Sequence, residues 1–112
     1  MTARPRPGRI PRYDEVADGD ALPELSVRVR RADLLQYATA SGDRNPIHLD
    51  DVAARKAGLG GVIAHGMLSM AIAGRVITDW VGDPTRVVDY GVRFTRPLPV
   101  PPETEAPDGV PL

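Results

Sequence analysis

The sequence predicts an α+β protein in which an antiparallel sheet wraps around a buried helix, and two observations carry that reading. The segment "MLSMAIAGRVITDWV", Met67 to Val81, has apolar residues around most of a helical circumference, so it needs cover on several sides. On either side of it, around residues 25 to 30 and 87 to 95, apolar and polar residues alternate. A period of two is the pattern of a strand with one apolar face. The length of 112 residues suits a single domain over 1–112. It lies at the small end of what builds a core alone.

The elements follow in chain order. Residues 1–12 are basic and, with Pro5, Pro7 and Pro11, read as an extended, solvated lead-in; "DGD" and Pro23 prolong it. Leu25, Val27 and Val29 then alternate with Ser26, Arg28 and Arg30, as a half-buried strand does. From Asp33, "DLLQYATA" places Leu34, Tyr37 and Ala38 at helical spacing, with the aspartate favourable in the first turn. The loop "SGDRNPIHLDD", residues 41–51, comes next. Asp50 is an N-cap for the short helix "DVAARKAG", which carries Arg55 and Lys56 in its last turn and Gly58 at the C′ position. After "LGGVIAHG" the apolar helix runs for about four turns. Its Ala71, Ala73 and Gly74 allow close backbone approach, and "GDP" at 82–84 ends it. Val88, Tyr90, Val92 and Phe94 alternate with polar or small neighbours as a second strand. The tail 97–112 holds six prolines, which cannot donate to a central ladder, so no strand is expected there.

Composition removes several function classes. A net charge of −1 supplies no electrostatic reason to expect nucleic acid or an anionic membrane as partner. The basic N-terminus lacks the apolar stretch of a signal peptide. The longest apolar run is broken by Arg75 and Asp79 and is too short to span a bilayer. With no cysteine there is no disulfide, thiolate nucleophile or zinc–thiolate site. A cytoplasmic protein is the expectation.

The loop at 41–51 is where chemistry can reside. An aspartate and a histidine close in sequence, Asp43 and His48, can share a proton-handling task, because imidazole titrates near neutrality and a carboxylate orients it. Ser41 and Ser69 have no separate acid–base pair to activate them, so the pair suits holding and polarising a water. Gly66 would sit at the N-terminus of the apolar helix, where free N–H groups and the dipole favour an oxyanion. Activated water on one side and a polarised carbonyl on the other equip a site to add water to an α,β-unsaturated carbonyl, or remove it, with no metal and no organic cofactor. Three plainer readings stand beside this one. The Asp-x-Asn-Pro stretch can be a simple Asx turn. Asp43 and His48 can join Asp50 or Asp51 as metal ligands. His65 suits packing or hydrogen bonding better than catalysis.

The stretch "YATASGDRNPIHLDDVAARKAGLGGVIAHGML", Tyr37 to Leu68, resembles the signature of the MaoC-like (R)-specific enoyl hydratases, the hydratase 2 family. It keeps the pattern Y-x-x-x-S-G-D-x-N-P-I-H-x-D, then A-x-x-x-G, then I-A-H-G-M. "ITDWVGDPTRVVDYGVRFTRPLPVP" looks most like the B subunit of the mycobacterial (3R)-hydroxyacyl-ACP dehydratase. The resemblance covers about residues 13 to 101 and implies a hot-dog fold. It also implies reversible conversion of (3R)-3-hydroxyacyl thioesters to trans-2-enoyl thioesters and water, on acyl-CoA or acyl-ACP. Carried over, it makes Asp43 and His48 the catalytic dyad and Gly66 the donor to the thioester carbonyl, with Asn45 and Ser41 in support. It implies a homodimer, or a heterodimer with another hot-dog subunit. Family members usually continue beyond the point where this chain stops, adding the last strands of the sheet. The expectation is therefore a chain lacking those strands, whose open edge a partner would cover. A second reading follows from the same feature: an inactive hot-dog chain that serves only to dimerise or bind.

Overall fold

The computed structural model describes residues 10–112, and the basic stretch at 1–9 lies outside the described residues. Among the described residues the chain forms two compact units: residues 10–25 with Met70–Val92, and Ser26–Ser69 with Arg93–Leu112.

The second unit holds most of the core. Strand β1 is Arg28–Val29, and helix α1, Arg31–Ser41, follows at once. Asp33 starts the helix as expected: its carboxylate accepts the Arg30 N–H at 2.8 Å, which satisfies one of the first-turn donors. Gly42 ends it in the left-handed region at φ 81°, with its N–H on the Ala38 carbonyl. Leu34 and Ala38 point inward and are buried. A 3-10 turn, Pro46–His48, leads into helix α2, Asp51–Lys56. Asp50 caps α2 by accepting from the Val52 N–H, and Gly58 follows the C-cap at φ 90°. Val29, Leu34, Ala38, Ala54, Val62, Ala64 and Val100 make the apolar core of this unit.

The proline-rich tail departs from expectation. Strand β2, Val110–Pro111, pairs antiparallel with β1, in the register Arg28↔Pro111 and Val29↔Val110. Both strands of so small a sheet are edges, the one place where proline's missing N–H can face outward. Arg28 fixes the approach by donating to the carbonyls of Asp108 and Gly109 at 3.0 and 2.8 Å. A second antiparallel bridge joins Ile63 and Pro99, with Ala64 N–H on the Leu98 carbonyl and Val100 N–H on the Val62 carbonyl. Residues within 97–112 thus help to close the core, through side chains and carbonyls that composition does not reveal.

Arg31 and Asp51 tie α1, α2 and the tail of this unit together. The guanidinium donates to the Asp51 carboxylate at 2.7 Å and also to the Val100 carbonyl, while the same carboxylate oxygen accepts from Val62 N–H at 2.9 Å. The Val62 N–H first, and then the Arg31 guanidinium, hold Asp51 below the usual carboxylate range.

Helix α3, Gly66–Val81, is continuous, as the apolar segment predicts. Its burial is not as expected: within it only Val81 is buried, and Met67 is 60% exposed. The reason lies in residues 87 to 95, where the expected strand has no ladder partner among the described residues. Alternation sets which side chains share a face, but a strand also needs a neighbour to pair with. Within the first unit, Tyr90 still packs on the helix. Its hydroxyl donates to the Met70 carbonyl at 2.8 Å, and a Cβ at Gly74 would stand 3.4 Å from its ring.

Candidate active site

Every residue of the candidate site belongs to the second unit. Helix α1 ends at Ser41, whose hydroxyl donates to the Tyr37 carbonyl at 2.7 Å and accepts the Asp43 N–H at 3.1 Å. Asp43 Oδ1 accepts from the Asn45 N–H at 3.2 Å, and Asn45 Oδ1 from the Ile47 N–H at 3.3 Å. The loop is therefore a pair of consecutive Asx turns, with Asn45 capping the 3-10 turn that carries His48. Turn and site are compatible: the turns bend the backbone so that an exposed carboxylate and a buried imidazole face the same place.

His48 is buried and held from behind. Its Nδ1–H donates to the Ile63 carbonyl at 2.8 Å, an assignment made from the partner, since a carbonyl can only accept. That leaves Nε2 as the free acceptor. His65, also buried, donates from Nε2 to the Asp43 carbonyl at 3.0 Å. Its ring stacks on that of His48 with centroids 4.0 Å apart and planes 25° apart. A carboxylate oxygen of Asp43 and one nitrogen from each histidine lie within 4.8 Å of one another. A separation of that order suits one bridging water between acid and base.

The same three residues carry atoms of metal-ligating type, but their arrangement does not suit an ion. Imidazole lone pairs lie in the ring plane, and two nearly parallel rings 4.0 Å apart do not aim theirs at one point. One nitrogen on each ring is also engaged with a backbone carbonyl. The set does not fit a chelating site. Nor do Asp50 and Asp51 join it: Asp50 caps α2, and Asp51 is bound to Arg31 and Val62.

Gly66 is the first residue of α3, so its N–H has no acceptor within the helix. It lines an open cavity of about 970 Å³ together with His48, Ser69, Arg93, Phe94 and Arg96. A Cβ on Gly66 would stand 3.4 Å from Phe94 Cζ, so that ring roofs the start of the helix. Asp43 is absent from the cavity wall and meets the site through the two histidines. The sequence reading named Asp43, His48, Gly66, Asn45 and Ser41. It did not foresee the His48–His65 stack or the wall of Arg93, Phe94 and Arg96. The one signal for the stack was that the chain's only two histidines both sit in the signature stretch.

Matches to known proteins bear on this arrangement. A family model described as "MaoC like domain" matches residues 14–106. The 3-hydroxyacyl-thioester dehydratase X of Mycobacterium tuberculosis is 38% identical over 79 residues, which is 70% of this chain and 27% of that protein. The mitochondrial 3-hydroxyacyl-[acyl-carrier-protein] dehydratase of Arabidopsis thaliana is 42% identical over 60 residues, 54% of this chain and 36% of that one. A solved structure titled "MaoC-like dehydratase" superposes with a TM-score of 0.74 at 47% identity, over 81% of this chain and 28% of the other. This chain spans about a third or less of each of these proteins. The architecture is of the α+β, hot-dog class.

Proposed function

The chain belongs to the MaoC-like domain family, and we propose that its site interconverts trans-2-enoyl and (3R)-3-hydroxyacyl thioesters by adding or removing water. One observation carries the reading. His48 presents a free Nε2 in the cavity that Gly66 also lines, and Asp43 lies within a water's reach of the histidine pair. In the hydration direction, Asp43 and His48 hold the water that attacks C3, and the dyad returns a proton to C2. The Gly66 N–H and the N-terminal end of α3 stabilise the negative charge that collects on the thioester oxygen. Ser41 and Asn45 hold the loop in shape. Arg93 and Arg96 bring positive charge to the cavity wall, which suits the phosphates of a CoA or carrier-protein arm. We read both units as one MaoC-like domain, since the family match runs through both. A cytoplasmic setting belongs to the same reading. Among the described residues, no helix is long and apolar enough to cross a membrane.

A second reading is a chain whose main work is to pair with a hot-dog partner, a second copy or a different subunit. Val88, Met67 and Phe94 favour it, being 97%, 60% and 57% exposed. Loss of enoyl absorbance from crotonyl-CoA, measured together with the mass in solution, separates the two. Steady hydration supports the enzyme. A well-folded, assembled protein with no hydration of enoyl thioesters leaves the partner role.

A further inference from the structure

We infer that His65 is a positioning residue, which locks the Asp43 loop and the His48 ring to the start of α3 so that the acid–base pair and the Gly66 N–H keep one spacing. The inference rests on the hydratase reading above and assigns a residue that reading leaves idle.

Three contacts carry it. The His65 Nε2–H holds the Asp43 carbonyl at 3.0 Å, across 22 residues of chain. Its ring lies against the His48 ring with centroids 4.0 Å apart, and it also makes a T-shaped contact with the Tyr37 ring, centroids 4.7 Å apart. His48 is thereby gripped twice, by this stack and by the Ile63 carbonyl, so that Nε2 alone is left for the reacting proton. The peptide unit that joins His65 to Gly66 is planar, so anchoring His65 also aims the Gly66 N–H. The His65 carbonyl completes the hold by accepting from Ser69 N–H at 3.1 Å in the first turn of α3.

A packing role alone does not account for an imidazole here. His65 is 1% exposed and its Nδ1 is buried with no partner, an arrangement that an apolar side chain of similar size would avoid. The polar group is explained by what Nε2 holds. Displacing reacting groups by about 1 Å costs roughly 100-fold in rate, which sets the expected effect.

The test uses two complementary variants of the full chain. His65→Phe keeps a ring for the stack and removes the donor; His65→Gln keeps an N–H near the position of Nε2. With crotonyl-CoA, His65→Phe should lower kcat roughly 100-fold per folded molecule while KM moves by less than about threefold. His65→Gln should recover about five- to tenfold of that loss, the worth of one net hydrogen bond. Amide exchange at Asn45, Ile47 and His48, followed by NMR, should quicken in the Phe variant and slow again in the Gln variant. A kcat within about threefold of wild type in the folded Phe variant overturns the inference, as does a change confined to KM. Should neither variant fold, the wild type decides: the His65 Nε2–H must give a slowly exchanging NMR signal, and its absence overturns the inference. If the wild type hydrates no enoyl thioester, the hydratase reading falls, whereas the exchange rates still decide whether His65 holds the loop. Unchanged loop exchange in the Phe variant rejects the positioning role in either case.

Discussion

Gly66→Pro removes the proposed oxyanion donor and almost nothing else. Gly66 is the first residue of α3, the one helical position where proline's missing N–H breaks no intrahelical bond and its fixed φ is suited. The residue before a proline is driven to extended backbone, the usual conformation just ahead of a helix. The new Cβ meets Phe94 Cζ at 3.4 Å, close but against a ring that is 57% exposed and able to give way. The restricted unfolded chain offsets part of that, by about 0.4–1 kcal/mol. The thermal midpoint should therefore move little. The rate should fall roughly 100- to 1000-fold, about 2.7–4 kcal/mol of lost transition-state stabilisation. Gly66→Ala is the matched control: it adds the same Cβ and keeps the N–H, so it should stay close to wild type. The assay is kcat and KM for crotonyl-CoA hydration, with a thermal melt of each variant. A folded Gly66→Pro protein turning over within about threefold of Gly66→Ala would refute the assignment of Gly66 as donor.

Three further outcomes follow from the same geometry. Asp43→Asn and His48→Ala should each remove most of the hydration rate, roughly 100- to 10,000-fold, and the double variant should be little worse than either; additive losses in the double variant would separate their roles. Gly109→Ala should destabilise the protein by about 1–3 kcal/mol in denaturant unfolding, because φ is 76° and a Cβ would stand 2.5 Å from the Val29 carbonyl oxygen. A neutral result would mean that the β1–β2 pairing does not hold in solution. Asp51→Asn should cost about 1–2 kcal/mol near neutral pH, through the charged hydrogen bond to Arg31. Since the folded-state pKa of Asp51 is depressed, this stability is present above the ordinary value of 3.8 and is lost as the pH falls through the folded value. The wild-type advantage in melting temperature should accordingly begin to shrink below about pH 3.8 and vanish below the depressed folded value; an advantage that stays undiminished as the pH falls through both would rule out the charge as its source.

The local elements were readable because their causes are local. Asp33, Asp50 and Gly58 mark helix ends through bonds that span a few residues, and each sits where its chemistry placed it. The apolar run at 67–81 is a helix because its own backbone satisfies itself. Strands are different: residues 88–94 have the alternation of a strand but no partner among the described residues, while Val110–Pro111, in a tail that composition marks as strandless, has one. Strand formation depends on what lies opposite, which a one-dimensional pattern does not contain.

The same division runs through the site. By itself the sequence determined the family signature, the carboxylate and imidazole of the 41–51 loop, and a glycine at the head of a helix, because side-chain chemistry and short spacings are written directly in the order of residues. Only the tertiary structure decided that His65 would reach back 22 residues to the Asp43 carbonyl and lie on the ring of His48. The same is true of Asp51, which turns to structural work at Arg31 and the Val62 N–H. Those outcomes depend on which backbone carbonyls the packed chain brings within 3 Å of a ring nitrogen or guanidinium, and long-range closure alone sets that distance.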